Sequence, residues 1–271
     1  MVGSSVLVAT SGYSYKDWVG PVYPPDIQSP DFLSWYAERL PYVELDFSYY
    51  AMPKPETLAA MTGRTPKSFR FTLKAHRSMT HQRAVDPGAA AGTFRRSIEP
   101  LTRADRLLGI VLQFPFSFHY TTGNRLYLAN LCESLAELPL FVEFRNRDWH
   151  KDRVYDYMRE KGLCLVIADL PGLEGLPDFN PVVTGPSSYV RLHGRNRTQW
   201  WTGDNASRYN YRYSPDELAR LAAAIRLAAQ KTTLMLVAFN NHFGGNAFHN
   251  AQELTALLNQ QSPQPPRAAA T

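Results

Sequence analysis

Thiols are scarce in this chain. Two cysteines, Cys132 and Cys164, stand far apart among 271 residues. No CxxC pair exists, which excludes a secreted disulfide framework and points to a reducing, cytoplasmic setting. Long apolar runs are missing too. None reaches the ~18 residues of a membrane span, so no membrane partner is expected. The start, Met1-Val2-Gly3-Ser4-Ser5, carries neither the basic stretch nor the apolar run of a signal peptide. Three catalytic signatures are absent. No GxGxxG follows the first apolar run, which counts against a Rossmann fold. No GxSxG marks a serine nucleophile, and no HxH or HExxH marks a histidine metal site. Charge of one sign is not concentrated either. Lys plus Arg number 29 against 24 Asp plus Glu, a net +5. That mild surplus permits an anionic partner without demanding one.

What is present is an ordinary globular composition, 44% hydrophobic and 20% charged. The length suits one large barrel domain. We expect a single domain over residues 1–260 and a disordered Pro/Gln/Ala-rich tail over 261–271. Eight short apolar runs punctuate the chain: Val6–Thr10, Tyr42–Phe47, Phe69–Leu73, Ile110–Phe114, Leu140–Arg145, Cys164–Asp169, Tyr189–His193 and Leu234–Phe239. Helical patterns lie between them at Asp31–Leu40, Pro55–Gly63, Gly92–Leu108, Asn124–Leu138, Arg153–Lys161, Pro215–Ala229 and Asn246–Asn259. Strand then helix, repeated, means parallel strands with right-handed crossovers. Eight of them predict an α/β fold closed into a (β/α)₈ TIM barrel. Leu170–Ser187 holds four Pro and three Gly and has no helical period, so the sixth helix is expected to be short or missing.

Two helix starts are well signalled. Ser214-Pro215-Asp216-Glu217 offers a cap, a proline at the first helical position and a glutamate at the third. Ser29-Pro30-Asp31 reads the same way. The connection Gly194–Tyr213 is long and irregular, and interleaves Arg with Trp and Tyr. Loops of this length are usually functional or disordered. A lid over a pocket and a surface for nucleic acid are both open readings of it.

Alternation along the strands locates the charges. Val43, Leu45 and Phe47 share one face of the second run, leaving Glu44 and Asp46 for the other. Arg70, Thr72, Lys74 and His76 are the complement of Phe69, Phe71 and Leu73. Glu143 and Arg145 oppose Val142 and Phe144; Arg191 and His193 oppose Val190 and Leu192. The fourth run ends near Gln113, the sixth in Asp169, the eighth in Asn240-Asn241-His242. So many charges cannot sit unpaired in a dry core. They either pair across the barrel or line a wet mouth. Most fall late in their strands, the end where barrel enzymes place their chemistry.

Several of these segments resemble the YecE-like family, domain of unknown function 72. They are Thr10-Ser11-Gly12-Tyr13-Ser14-Tyr15-Lys16-Asp17-Trp18, Gln113-Phe114-Pro115, Val142-Glu143-Phe144-Arg145, Arg191-Leu192-His193-Gly194-Arg195, and Phe239-Asn240-Asn241-His242-Phe243-Gly244-Gly245-Asn246-Ala247. The resemblance runs from about Val6 to Asn259 and implies a TIM barrel; it implies no activity. Asn146 departs from the pattern, where histidine is expected after Glu-x-Arg.

The residues point first to an enzyme acting on a phosphate- or carboxylate-bearing substrate. Glu44, Glu143 and His193 are the candidates for acid/base work. Tyr13, Lys74, Gln113, Arg145, Asp169, Arg191, Arg195, Asn240, Asn241 and Gly244 are the candidates for holding the substrate. Arginine suits planar bidentate contacts, and Gly244-Gly245 before the last helix offers backbone N–H groups. No cofactor is expected. A metal-dependent phosphodiester hydrolase using Glu44, Glu143, Asp169, His193 and His242 is an alternative. Against it, Arg145 and Arg191 would repel a cation, so no metal site is assigned. A nucleic-acid-binding module built on loop 195–213 is the other alternative.

Overall fold

The computed structural model describes residues 4–83 and 86–260. The expected tail, 261–271, lies outside the described residues. The chain begins with strand β1 (Ser5–Thr10), then helix α1 (Phe32–Ala37). β2 (Tyr42–Leu45) is followed by α2 (Phe47–Tyr50) and α3 (Pro55–Gly63), and β3 (Arg70–Lys74) by α4 (Arg77–Thr80) and α5 (Pro87–Arg103). β4 (Leu107–Phe114), α6 (Thr122–Ser134), β5 (Leu140–Phe144), α7 (Asp152–Glu160) and β6 (Cys164–Asp169) come next. β7 (Ser187–Leu192), α8 (Asn205–Arg208), α9 (Pro215–Ala229), β8 (Leu234–Phe239) and α10 (Asn246–Asn259) complete the order. No helix joins β6 to β7, as the proline and glycine content of that link predicts.

All eight strands run parallel, in the order β1-β8-β7-β6-β5-β4-β3-β2. The seam between β1 and β2 is held by a single bridge, Ser11 to Glu44, with Gly12 N–H donating to the Glu44 carbonyl at 2.8 Å. The result is a nearly closed TIM barrel.

Local sequence explains the elements. β6 is Cys-Leu-Val-Ile-Ala-Asp, buried throughout, as a parallel strand covered on both faces requires. Ser214 caps α9 in a full capping box with Glu217. α5 starts at Pro87 because Asp86 caps it, accepting from the Gly88 N–H at 2.8 Å. It ends at Arg103, not Leu108: Asp105 adopts φ +52, outside the helical region, and Leu107 and Leu108 open β4. Gly109 sits at φ +151 beside a register shift between β3 and β4, and a Cβ there would strike Phe141 and the Pro139 carbonyl.

The barrel interior has an apolar lower half. Ala9, Tyr42, Val111, Phe141, Val166, Tyr189 and Leu236 pack there. The larger core lies between the sheet and the helices. The polar residues begin one layer above Tyr189, toward the C-terminal ends of the strands.

Candidate active site

The floor of the mouth is an ion-pair network centred on Arg191. Register places Ala168 and Ala238 beside it on the neighbouring strands. Ala9 lies beyond, opposite Ala238. Three small side chains leave the volume the long guanidinium needs to reach across the barrel. One terminal nitrogen donates to Glu44 Oε1 and the other to Glu143 Oε2. Glu44 also accepts from Ser11 Oγ at 2.6 Å and Tyr189 Oη at 2.7 Å. Glu143 Oε1 accepts from Arg145 Nε. His193 Nε2 lies 3.2 Å from that same oxygen. Glu44, Glu143 and His193 are fully buried.

These partners set the protonation states. Burial opposes ionisation of Glu143, but Arg145, Arg191 and His193 outweigh it and hold the carboxyl well below the usual range. Burial, and then Arg145, push His193 down to about 3, so it is neutral at pH 7. Asn240 Nδ2 stands 3.0 Å from His193 Nδ1, which assigns Nδ1 as acceptor and leaves Nε2–H to face Glu143. Removing any one charge here would strand another, which is why the set must be read as a unit.

Above the floor the mouth divides into two cavities. The first, about 400 Å³, is bounded by Ser11, Tyr13, Asp46, Lys74, Arg191 and Asn240, with Tyr15, Tyr209 and His242 around its rim. The second, about 220 Å³, is bounded by Lys74, His81, Gln113, Arg145, Trp200 and Arg208. Its lining holds Lys74, Arg145 and Arg208 with the titratable His81 and, among the described residues, no carboxylate. Lys74 lies between the two cavities and lines both.

Lys74 is the end of β3, whose alternation turns it inward beside Thr72. Its ammonium rests 4.3 Å from the Tyr49 ring centre. Among the described residues no carboxylate pairs with it, since Glu44 and Glu143 are taken by the arginines. Burial, then Arg191 and Arg145, lower its pKa to about 8. Asp46, which follows β2 and precedes α2, lines the first cavity. Burial and then Glu44 raise it to about 6, with Lys74 opposing. Burial, Lys74 and Arg145 depress His81 to about 4. The mouth is thus electropositive around one carboxyl that retains its proton unusually high.

Residues 195–213 fold over this mouth. Trp200 is buried against Ala168, Leu170 and Leu176 and lies 5.4 Å from the Arg145 guanidinium. Tyr209 packs with it and covers both cavities. Tyr213 is buried on Phe239, while Trp201 remains 52% exposed. Gly194, at φ +82, makes the turn into this loop, and a Cβ there would meet Tyr211.

Of the residues expected to hold substrate, Tyr13, Lys74, Gln113, Arg145, Arg191 and Asn240 line the cavities. Glu44, Glu143 and His193 lie beneath, with their polar atoms engaged. Four others point elsewhere. Asp169 is packed on the helix side, where it binds Arg195 (Nη2 to Oδ1, 2.8 Å) and the Tyr213 hydroxyl at 2.6 Å. Arg195 bridges on to Glu217 of α9 at 2.8 Å. Asn241 Nδ2 donates to the Tyr211 carbonyl and to Asn250 Oδ1 of α10. The Gly244 N–H donates to Asp17 Oδ2 at 2.7 Å, tying the first loop to the last. Among the described residues no three of His, Cys, Asp or Glu are placed to share a metal ion.

Sequence reasoning passed over Asp46 as a site residue although it stood on the inward face with Glu44. Ser11 sat in the opening motif, and Tyr209 and Arg208 in the irregular loop. His81 carried no signal, because it follows the four-residue helix α4, too short to show a period.

The family described as "Protein of unknown function DUF72" matches residues 7–270. The UPF0759 protein YunF of Bacillus subtilis (strain 168) is 30% identical over 253 residues, 88% of this chain and 90% of its own. The crystal structure of a DUF72 family protein from Thermotoga maritima MSB8 superposes with a TM-score of 0.89 at 36% identity, covering 94% of this chain and 99% of that one. A DUF72 family protein from Enterococcus faecalis V583 gives 0.84 at 28% identity, over 97% and 100% of the two chains. The eight-stranded barrel and the match across nearly the whole sequence agree: this chain belongs to the DUF72 family.

Proposed function

We propose that the protein is an enzyme acting on a small substrate that bears a phosphate or carboxylate. One observation carries the reading: the second cavity gathers Lys74, Arg145 and Arg208 with no carboxylate among them. Arg208 Nε is buried and has no hydrogen-bond partner among the described residues. An anion supplies what such a site lacks, and charge-assisted hydrogen bonds to guanidinium are the strong kind. Gln113 adds a neutral amide to the same wall.

The rest of the substrate occupies the first cavity. Asp46, with a pKa of about 6, exchanges a proton there near neutral pH. Glu44, Glu143 and His193 act in this reading through the guanidiniums they hold in place. Tyr209 and Trp200 close the site from above, which lowers the local dielectric and strengthens each ionic contact.

Titration calorimetry with inorganic phosphate and with malonate tests this. Both anions should bind, and Lys74→Met and Arg208→Ala should each weaken binding about tenfold, the usual worth of a hydrogen bond to a charged group. Binding that ignores both substitutions would place the anion elsewhere and end the proposal.

A further inference from the structure

An amine that lies close to arginines and, among the described residues, has no carboxylate at ion-pair distance can do more than attract an anion. Lys74 lacks the ion pair that would lock its proton in place, and it lines the cavity that holds the cation cluster as well as the one that holds Asp46. It sits at the end of a barrel strand, on rigid backbone, with its carbonyl fixed by Ser48 Oγ at 2.6 Å. Anion site, amine and the Asp46 carboxyl are thus arranged in series across one mouth.

We infer that Lys74 is a nucleophile that forms an imine with an aldehyde or ketone carrying a phosphate or carboxylate. This deepens the anion-site reading above and rests on it. The anionic group enters the second cavity beside Arg145 and Arg208, and the carbonyl carbon faces Lys74 from the first. The neutral amine attacks that carbon, an N–C bond forms and the carbonyl oxygen becomes a hydroxyl by taking the amine's proton. Asp46 then gives its proton to this hydroxyl. The C–O bond breaks, water leaves, and the nitrogen holds a protonated imine opposite the Asp46 carboxylate. One amine, one carbonyl and one carboxylic acid become one iminium, one water and one carboxylate, with no oxidant or reductant. The iminium then withdraws electrons from the bonds of the adjacent carbon, the property that lysine imines bring to catalysis.

The depressed pKa agrees with this role. At pH 7.5 an amine with a pKa of about 8 is roughly a quarter neutral, against about 0.1% for an ordinary lysine near 10.4. The other lysines, Lys16, Lys54, Lys67, Lys151, Lys161 and Lys231, serve as internal standards in the same chain.

The test uses the full-length protein, glyoxylate as the probe and cyanoborohydride to reduce any imine, with peptide mapping by mass spectrometry at pH 7.5. Lys74 should be labelled at least tenfold faster than the other lysines. Inorganic phosphate should slow that labelling, and Asp46→Asn should slow it without changing the rates elsewhere. Propanal, which lacks the anion, should show a much smaller preference for Lys74. Labelling of Lys74 no faster than of Lys16 or Lys231 overturns the imine. If phosphate still binds in a Lys74-dependent way in that case, the anion site stands and the imine alone falls; if phosphate does not bind, both fall.

Discussion

Asp46 keeps a carboxyl where its charge is disfavoured. Its folded pKa is about 6, against about 3.9 for a free aspartate. A raised folded value means the native state binds the proton more tightly than the unfolded chain. The ionised group therefore costs stability above pH 6, and the cost vanishes below about pH 4. Two units set a ceiling of about 3 kcal/mol; Asp46 is partly exposed, so about 1–2 kcal/mol is the expectation after screening. Asp46→Asn should stabilise the protein by that amount at pH 8, with the gain shrinking through pH 6. Urea unfolding at several pH values reads this directly, and a gain that does not vary with pH would contradict it. Glu143 behaves in the opposite sense. Its carboxyl is held low by Arg145 and Arg191 against the cost of burial, so its pairing is intact above the ordinary glutamate range and is lost only in strong acid. Glu143→Gln strands two buried guanidiniums and should cost about 3–5 kcal/mol in the same unfolding measurement at pH 7. The inward positions of Glu44, Lys74, Glu143, Arg145 and Arg191 were legible because their strands alternate apolar with polar. Asp169 was not, because β6 is apolar on both faces and its alternation has no reference. Ala168 is the residue of β6 that faces the axis, and Asp169 follows Ile167 toward the helices.

At the scale of elements, the strands and the start of α9, with its full capping box, could be placed from sequence, whereas the Ser29 cap expected for the first helix is not formed, α1 starting at Phe32, and the short pieces could not be placed. α2 and α4 are four residues each, too few for a 3.6-residue period to declare itself. They nevertheless set Tyr49 under the Lys74 ammonium and lead the chain to His81. The irregular segment 195–213 was legible as a long connection without a helical period, and it folds over the mouth with Trp200 and Tyr213 buried. Trp200 is its anchor, 3% exposed against Ala168, Leu170 and Leu176. A buried tryptophan cut to alanine loses about 3–5 kcal/mol of packing. Arg195, Tyr211 and Tyr213 tie the two ends of the loop to the barrel, so the loss falls on the stretch between them, which can open locally without unfolding the barrel. Trp200→Ala should therefore speed proteolytic cleavage within 195–213 by tenfold or more, while cleavage of the barrel strands changes little. An unchanged cleavage rate would mean that Trp200 does not hold the lid.

Over the whole molecule, closure of the barrel and assembly of the site are one event. The β1–β2 seam is a single bridge at Ser11 and Glu44, and the same two side chains meet at 2.6 Å on the floor of the mouth. Arg191 joins that seam to β5 through Glu143 on the far side. The charges that close the ring are thereby neutralised, Glu44 and Glu143 against Arg191 and Arg145, and among the described residues the unpaired positive charge left to meet a ligand is that of Lys74 and Arg208, with Arg145, Asp46 and His81 beside them. This division predicts the pH dependence of anion binding. Sulfate is the suitable probe, because it does not titrate in the range. Lys74 has a pKa of about 8, lowered by burial, Arg191 and Arg145 and opposed by Glu143 and Glu44. An anion beside it favours the ammonium, so binding takes up a proton and raises that pKa. Affinity should be near constant from pH 6.5 to 7.5 and fall by up to about tenfold per unit above pH 8. His81, at about 4 in the free protein, should titrate higher with sulfate bound, which proton resonance of its ring would report. Lys74→Met should remove the fall above pH 8 and leave weaker, flat binding from the two arginines. A flat profile in the unsubstituted protein would mean that Lys74 does not meet the anion, and the electropositive cavity would then owe its binding to Arg145 and Arg208 alone.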